Sequence, residues 1–159
     1  MSEKPIDQQP GATRQMSSGG NRNALNKPVD PQGEREWSYG IFDCFSECGT
    51  FCLSCWCPCF EYGKLKSRFK HLQTTGKPHP QGGKMLNMDC LTYDALHWVG
   101  CSCFVTRPTR REIRNRYNIQ GANDSDFLLI CCCDPCTLTQ ESREIALEED
   151  SLRQKSSDV

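Results

Sequence analysis

The chain has 159 residues, a net charge of −1 and thirteen cysteines. A net charge so close to zero argues against general nucleic-acid binding. Because the N-terminal residues contain no apolar run typical of a signal peptide, we expect the chain in the reducing cytosol. In that compartment, dense cysteines indicate metal ligation, acylation or redox chemistry, and structural disulfides are the minority alternative.

Both ends of the chain have a composition typical of disorder. Residues 1–36 contain no Phe, Trp or Tyr and are rich in Pro, Gly, Gln, Asn and Ser. Such a segment cannot bury enough apolar surface to offset the entropy lost on ordering. Residues 150–159 are also polar. We therefore expect one Cys-rich domain over residues 37–149, between a disordered N-terminal arm and a disordered C-terminal tail.

Helical spacing of apolar residues, without clean strand-like alternation, predicts a mainly α domain with irregular Cys-rich loops. Residues 47–56 are nearly continuously apolar and fit either a short buried helix or a loop, because periodicity does not separate the two. Proline is favoured at the first helical position, so Pro58 indicates a helix start. Asp134-Pro135 indicates a second helix start. Together with apolar residues at helical spacing elsewhere, these starts predict four helices, near residues 58–73, 89–103, 109–118 and 135–149, and little or no sheet.

The best candidate for a membrane-spanning segment is residues 90–105, which number 16 and include Asp94 and His97. Spanning requires about 20 predominantly apolar residues, so we expect peripheral association instead, through the apolar Cys/Phe surface and a cluster of five arginines. The simplest interpretation of this basic cluster, and of the acidic last helix, is a pair of solvated helix faces. The alternative for the arginines is contact with anionic lipid headgroups. The clusters are Arg107, Arg110, Arg111, Arg114 and Arg116, and Glu141, Glu144, Glu148, Glu149 and Asp150.

A Pro-Cys pair occurs at two predicted helix starts, Pro58-Cys59 and Pro135-Cys136. At the second helical position, the helix field and free N–H groups favour thiolate over thiol, and thiolate is the form that binds metal. A structural zinc site usually takes four such ligands, often as two close pairs. We therefore predict a zinc site formed by Cys57, Cys59, Cys133 and Cys136, with Cys52, Cys55 and Cys132 as substitutes if the register differs by one turn. The alternatives are small buried hydrophobic cysteines, acylation sites and disulfides.

Three blocks of sequence together form a recognisable pattern. The first block is Trp37, Gly40 to Cys44, Cys52 to Cys59 and Gly63-Lys64; the second is Arg111, Ile113, Arg114, Tyr117, Ile119 and Gly121; the third is Cys132, Cys133, Cys136, Leu138, Gln140, Arg143 and Glu144. This pattern resembles the cornifelin-like, placenta-specific-eight family of Cys-rich proteins, which includes plant cadmium-resistance proteins and cell-number regulators. The resemblance implies heavy-metal handling, control of cell number or organ size, and membrane association, with no agreed catalytic activity.

The leading hypothesis is a non-enzymatic module that binds zinc through thiolates and associates peripherally with membranes. The alternative is a metal-free, acylated adaptor or growth regulator. A thiol enzyme is the third class, but no Ser/His/Asp or Cys/His constellation, paired-carboxylate or phosphate-loop pattern is discernible. The candidate partners are a membrane surface with anionic lipid and a second copy of the chain; no nucleic acid or small-molecule substrate is indicated.

Overall fold

The computed structural model describes residues 20–157 and confirms a mainly α domain. A 3-10 helix, Ile41–Ser46, precedes five α-helices, and pairing of extended backbone within the described residues is limited to two isolated β-bridges. No helix in this part of the chain is both long and apolar enough to cross a bilayer. The α-helices are α1 (Cys48–Trp56), α2 (Pro58–Thr75), α3 (Met88–Trp98), α4 (Cys103–Tyr117) and α5 (Asn123–Ser157).

Helix α2 begins at Pro58, as predicted, and ends two residues beyond the predicted boundary. Gly76 terminates it in the left-handed conformation, with φ of 65°, which glycine adopts without the steric cost of a Cβ. The ambiguous stretch before it is helix α1, but this helix is not buried. Ser54 is its buried residue, while Trp56 is 86% exposed.

Helix α4 begins six residues before the predicted start at 109 and continues through Pro108. A proline inside a helix removes one backbone hydrogen bond. The preceding turn is supported by side chains instead, because the hydroxyls of Tyr62 and Thr109 donate to the carbonyl oxygen of Val105 at 3.0 and 2.9 Å. Packing against α2 therefore outweighs the local preference of the proline.

Helix α5 is broken at Cys133, whose φ and ψ are −151° and 78°. Pro135 causes this break, because proline lacks an N–H group and its ring would clash with the carbonyl four residues earlier in a regular helix. The helix start predicted near Pro135 is therefore a break within a longer helix. The segment before the break also belongs to α5. The segment is helical, and Leu128 there is 62% exposed.

The apolar core lies between α2, α4 and the second half of α5. Its buried members are Leu65, Phe69, Leu72, Ile113, Tyr117, Ile119 and Ile145. A second, smaller cluster joins α3 to this body and consists of Tyr62, Tyr93 and Leu138. The rings of Tyr62 and Tyr93 are stacked with centroids 5.0 Å apart. Helix α3, which bears one wall of the candidate site, is thereby fixed to the body of the domain.

The charged helix faces are largely buried, which corrects the interpretation of both clusters as solvated. Arg110 is 1% exposed and Glu141, Glu148 and Glu149 are each 2% exposed or less. Their charges are compensated within the fold, as buried charges must be. Arg111 stays exposed and Arg107 partly so. The buried pairs are Arg35–Glu144 (2.5 Å), Arg68–Glu149 (2.7 Å), Arg110–Asp126 (2.9 Å), Arg110–Glu141 (3.0 Å) and Arg116–Glu148 (2.8 Å).

Residues 20–36 lie against the helical body, which differs from the disorder expected of them. Arg35 is 3% exposed, pairs with Glu144 and forms backbone bridges to Val29 and Ile119. One buried arginine and its backbone bonds therefore hold a segment that lacks aromatic residues. At the other end, α5 continues to Ser157 instead of ending near 149. The rest of the predicted arm and tail, residues 1–19 and 158–159, lies outside the described residues.

Candidate functional site at the helix junctions

A cleft of about 400 Å³ opens where α1 ends, α2 begins, α3 ends and α5 breaks. We call it the junction cleft. Trp56 and Trp98 line it and are 86% and 82% exposed. Three thiols, one imidazole and two carboxyl groups also belong to residues that line it. These donors are Cys55, Cys57, Cys59, Asp94, His97 and Asp134.

The two prolines shape the cleft through the residues that precede them. Cys57 caps α2 with φ and ψ of −140° and 66°, because the α conformation is disfavoured immediately before a proline. Cys133, two residues before Pro135, has nearly the same values, −151° and 78°. The helical path is therefore interrupted shortly before both prolines, and Asp134 and Pro135 line the same cleft as Cys57 and Cys59.

Cys59 contacts a thiol that the sequence analysis did not single out, Cys90 of α3. Burial, and then the neighbouring Cys90, raises the pKa of Cys59 to about 11, although the backbone N–H of Phe60 acts in the opposite direction. This corrects the expectation that the helix N-terminus makes Cys59 a thiolate: desolvation outweighs the helix field. Without a bound cation, Cys59 is therefore a protonated thiol at neutral pH.

The opposite wall is organised by Tyr93. Its hydroxyl donates to a carboxylate oxygen of Asp134, which ties α3 to the break in α5. Its ring stacks on that of His97 with centroids 5.7 Å apart. His97 itself is exposed. The i, i+4 spacing of Tyr93 and His97 is the signal that places both on one helix face.

Of the four predicted ligands, Cys57 and Cys59 line the junction cleft, whereas Cys133 and Cys136 are joined by a disulfide. The minority alternative of a disulfide thus applies to one pair, and the other eleven cysteines are free. The sequence analysis missed Cys44, whose sulfur lies 3.2 Å from that of Cys136. Its signal is the first family block, which includes Cys44.

Across residues 20–157, no group of three or more His, Cys, Asp or Glu side chains is arranged to hold a metal ion. The four-thiolate zinc site stays a prediction, since the disulfide must open before Cys133 and Cys136 can act as ligands. The free donors of the cleft nonetheless suit a thiophilic cation, because soft thiols favour zinc-like metals and imidazole also binds zinc. Such an open, partial ligand set is typical of exchangeable binding, since structural zinc sites are closed by four ligands.

Comparisons with known proteins identify the family of the chain. Residues 37–144 match the model of the PLAC8 family. Protein PLANT CADMIUM RESISTANCE 2 of Arabidopsis thaliana is 34% identical over 120 residues, which cover 72% of this chain and 70% of that protein. Cell number regulator 10 of Zea mays is 30% identical over 120 residues, which cover 72% of this chain and 68% of that protein. No solved structure matches. The chain is therefore a member of the PLAC8 family.

Proposed function

We propose that this protein is a non-enzymatic module that binds zinc or a similar thiophilic divalent cation through cysteine thiolates, as part of metal handling or growth regulation. The observation that carries the proposal is that Cys57 and Cys59 line one open cleft together with Cys55, Asp94 and His97. The names of the similar plant proteins, which refer to cadmium resistance and cell number, support the same two settings.

The cation is cargo in this proposal, and the chain supplies its ligands. Cys57 and Cys59 provide the sulfur donors, and His97 and Asp94 are the nitrogen and oxygen donors on the facing helix. Binding displaces thiol protons into solvent. The wide mouth allows exchange with other thiol carriers, which a closed four-ligand site does not.

Cadmium binding to the disulfide form of the full chain tests this function. We expect at least one equivalent of Cd²⁺ in equilibrium dialysis, accompanied by sulfur-to-cadmium charge-transfer absorption in the ultraviolet. Replacing both Cys57 and Cys59 with serine should weaken binding at least tenfold, because it removes the two cleft sulfurs at the start of α2. Cys101, which lies outside the cleft, provides the matched control: Cys101→Ser should bind as the wild type does. Equal binding by the double variant would refute the cleft as the metal site.

We also propose peripheral association with anionic membranes. Large apolar side chains are exposed on α1, α3, the start of α4 and the first half of α5, and extended apolar patches mark membrane or protein contacts. Arg107 and Arg111 stay at the surface to meet lipid phosphate, and the exposed thiols of Cys131 and Cys132 are candidates for acylation. The exposed apolar residues include Phe42, Phe45, Trp56, Leu91, Trp98, Val99, Phe104 and Leu128.

Flotation with vesicles of phosphatidylcholine and phosphatidylserine tests this association. The wild type should float with the vesicles and be released by high salt or carbonate, because the contact is interfacial and partly electrostatic. Trp56→Ser combined with Trp98→Ser should abolish flotation. Retention after both washes would contradict peripheral binding. If the protein formed a dimer and did not float with the vesicles, the apolar surface would instead be the contact with a second copy of the chain.

A further inference from the structure

A second group of sulfur atoms lies outside the junction cleft. The 3-10 helix contributes Cys44, and the break in α5 contributes Cys133 and Cys136, which are bonded to each other. The Cys44 and Cys136 sulfurs are 3.2 Å apart, and these two residues are 1% and 2% exposed. The fold thus brings three sulfur atoms together, those of Cys44 and Cys136 buried and that of Cys133 partly buried, and two of them belong to a Cys-x-x-Cys sequence.

We propose that Cys44, Cys133 and Cys136 form a redox-gated binding site for a thiophilic divalent cation, closed while the disulfide is intact and open once it is reduced. The inference rests on the thiol-based metal handling proposed above and adds to it a second site with a control. Neither of the two bonded cysteines can ligate a cation in the closed state, since the ligand form is the thiolate.

The arrangement is close to that of a zinc thiolate site. Metal–sulfur bonds of about 2.3 Å in tetrahedral geometry place pairs of ligand sulfurs about 3.8 Å apart. The Cys44 and Cys136 sulfurs, at 3.2 Å, need to separate only slightly to reach this spacing. The Cys-x-x-Cys pair has its Cα atoms 5.4 Å apart, and this sequence spacing is the usual one for two ligands of the same zinc ion.

The gating step is a thiol–disulfide exchange with an external dithiol such as dithiothreitol. The dithiol gives up two electrons and two protons and becomes a disulfide. The bond between Cys133 and Cys136 breaks, and each sulfur gains one electron and one proton. A divalent cation then binds to the thiolates of all three cysteines, and the displaced protons go to solvent.

Helix α1 connects the junction cleft to this sulfur group. It packs against both the 3-10 helix and α5, and its Cys55 lines the cleft. The cleft thiols and the group that the disulfide closes are therefore joined through one helix.

The test compares Cd²⁺ uptake by the full chain before and after reduction by dithiothreitol, with the reductant removed. A thiol titration should give eleven free thiols before reduction and thirteen after. We expect the reduced protein to bind one more equivalent of Cd²⁺, with stronger charge-transfer absorption. The additional equivalent should be lost in Cys44→Ser and kept in Cys101→Ser.

Protection of cysteines from alkylation can be measured on the wild type, so this second test does not rely on variants that could fail to fold. In reduced protein, Cd²⁺ should protect Cys44, Cys133 and Cys136 from alkylation by iodoacetamide, as measured by mass spectrometry of peptides. Equal Cd²⁺ uptake before and after reduction, with unprotected Cys44, would overturn the gated site while the cleft function stands. Absence of Cd²⁺ binding in both forms would overturn the two proposals together.

Discussion

Replacing Arg110 with alanine should lower the free energy of unfolding by about 3–5 kcal/mol, since removing one partner leaves buried charges uncompensated. Arg110 is 1% exposed and holds two carboxylates, Asp126 at 2.9 Å and Glu141 at 3.0 Å. Its guanidinium also lies over the ring of Trp37, 4.3 Å from the centroid. Chemical denaturation monitored by circular dichroism measures the effect.

The destabilisation by Arg110→Ala should be larger at pH 8 than at pH 5. Burial raises the pKa of Glu141 to about 7 from an ordinary value of 4.5, although Arg110 opposes the rise. The contribution of Glu141 to stability is therefore greatest below pH 4.5 and falls as pH rises through 7. Without Arg110 the pKa of Glu141 rises further, so in the variant Glu141 is an unpaired buried charge mainly at high pH.

The neighbouring exposed arginine serves as the control. Arg111→Ala should change the free energy of unfolding by no more than about 0.5 kcal/mol, as is usual for surface substitutions. If Arg110→Ala and Arg111→Ala had equal effects, the buried ion pairs would not support the fold in the way described.

Gly63→Ala should both destabilise the protein, by about 1–3 kcal/mol, and weaken Cd²⁺ binding to the cleft. A Cβ at Gly63 would overlap the carbonyl oxygen of Met85 and lie 2.8 Å from the Cβ of Cys90. The side chain of Asn87 also donates to the Gly63 carbonyl at 2.9 Å. Overpacking of this kind displaces the neighbouring element, and here that element is α3, which supplies Asp94 and His97 to the cleft.

Another helical glycine gives the opposite prediction. A Cβ at Gly49 of α1 meets nothing within 4 Å, so Gly49→Ala should stabilise the protein by about 0.5–1 kcal/mol through helix propensity. Cd²⁺ affinity should not change. A loss of stability in Gly49→Ala, or an unchanged Cd²⁺ affinity in Gly63→Ala, would contradict the role given to the contact between α2 and α3.

Local signals in the sequence predict several elements, and long-range pairings explain where they fail. Pro58 and Pro135 indicate both helix junctions because proline acts on its immediate neighbours. An amphipathic pattern cannot distinguish a solvated arginine from one paired inside the fold: Arg110 meets a carboxylate 31 residues away. Likewise, Cys44 meets Cys136 across 92 residues, so spacing along the chain does not reveal the pair.

X-ray absorption at the zinc K edge, on the disulfide form of the full chain loaded with one equivalent of Zn²⁺, tests the central claim most directly. The proposed cleft site predicts sulfur scatterers at about 2.3 Å together with nitrogen or oxygen at about 2.0–2.1 Å. The sulfur contribution should disappear when the three cleft cysteines, Cys55, Cys57 and Cys59, are all replaced with serine. A shell of nitrogen and oxygen alone in the wild type, or sulfur scattering that survives the triple replacement, would contradict thiolate binding in the junction cleft.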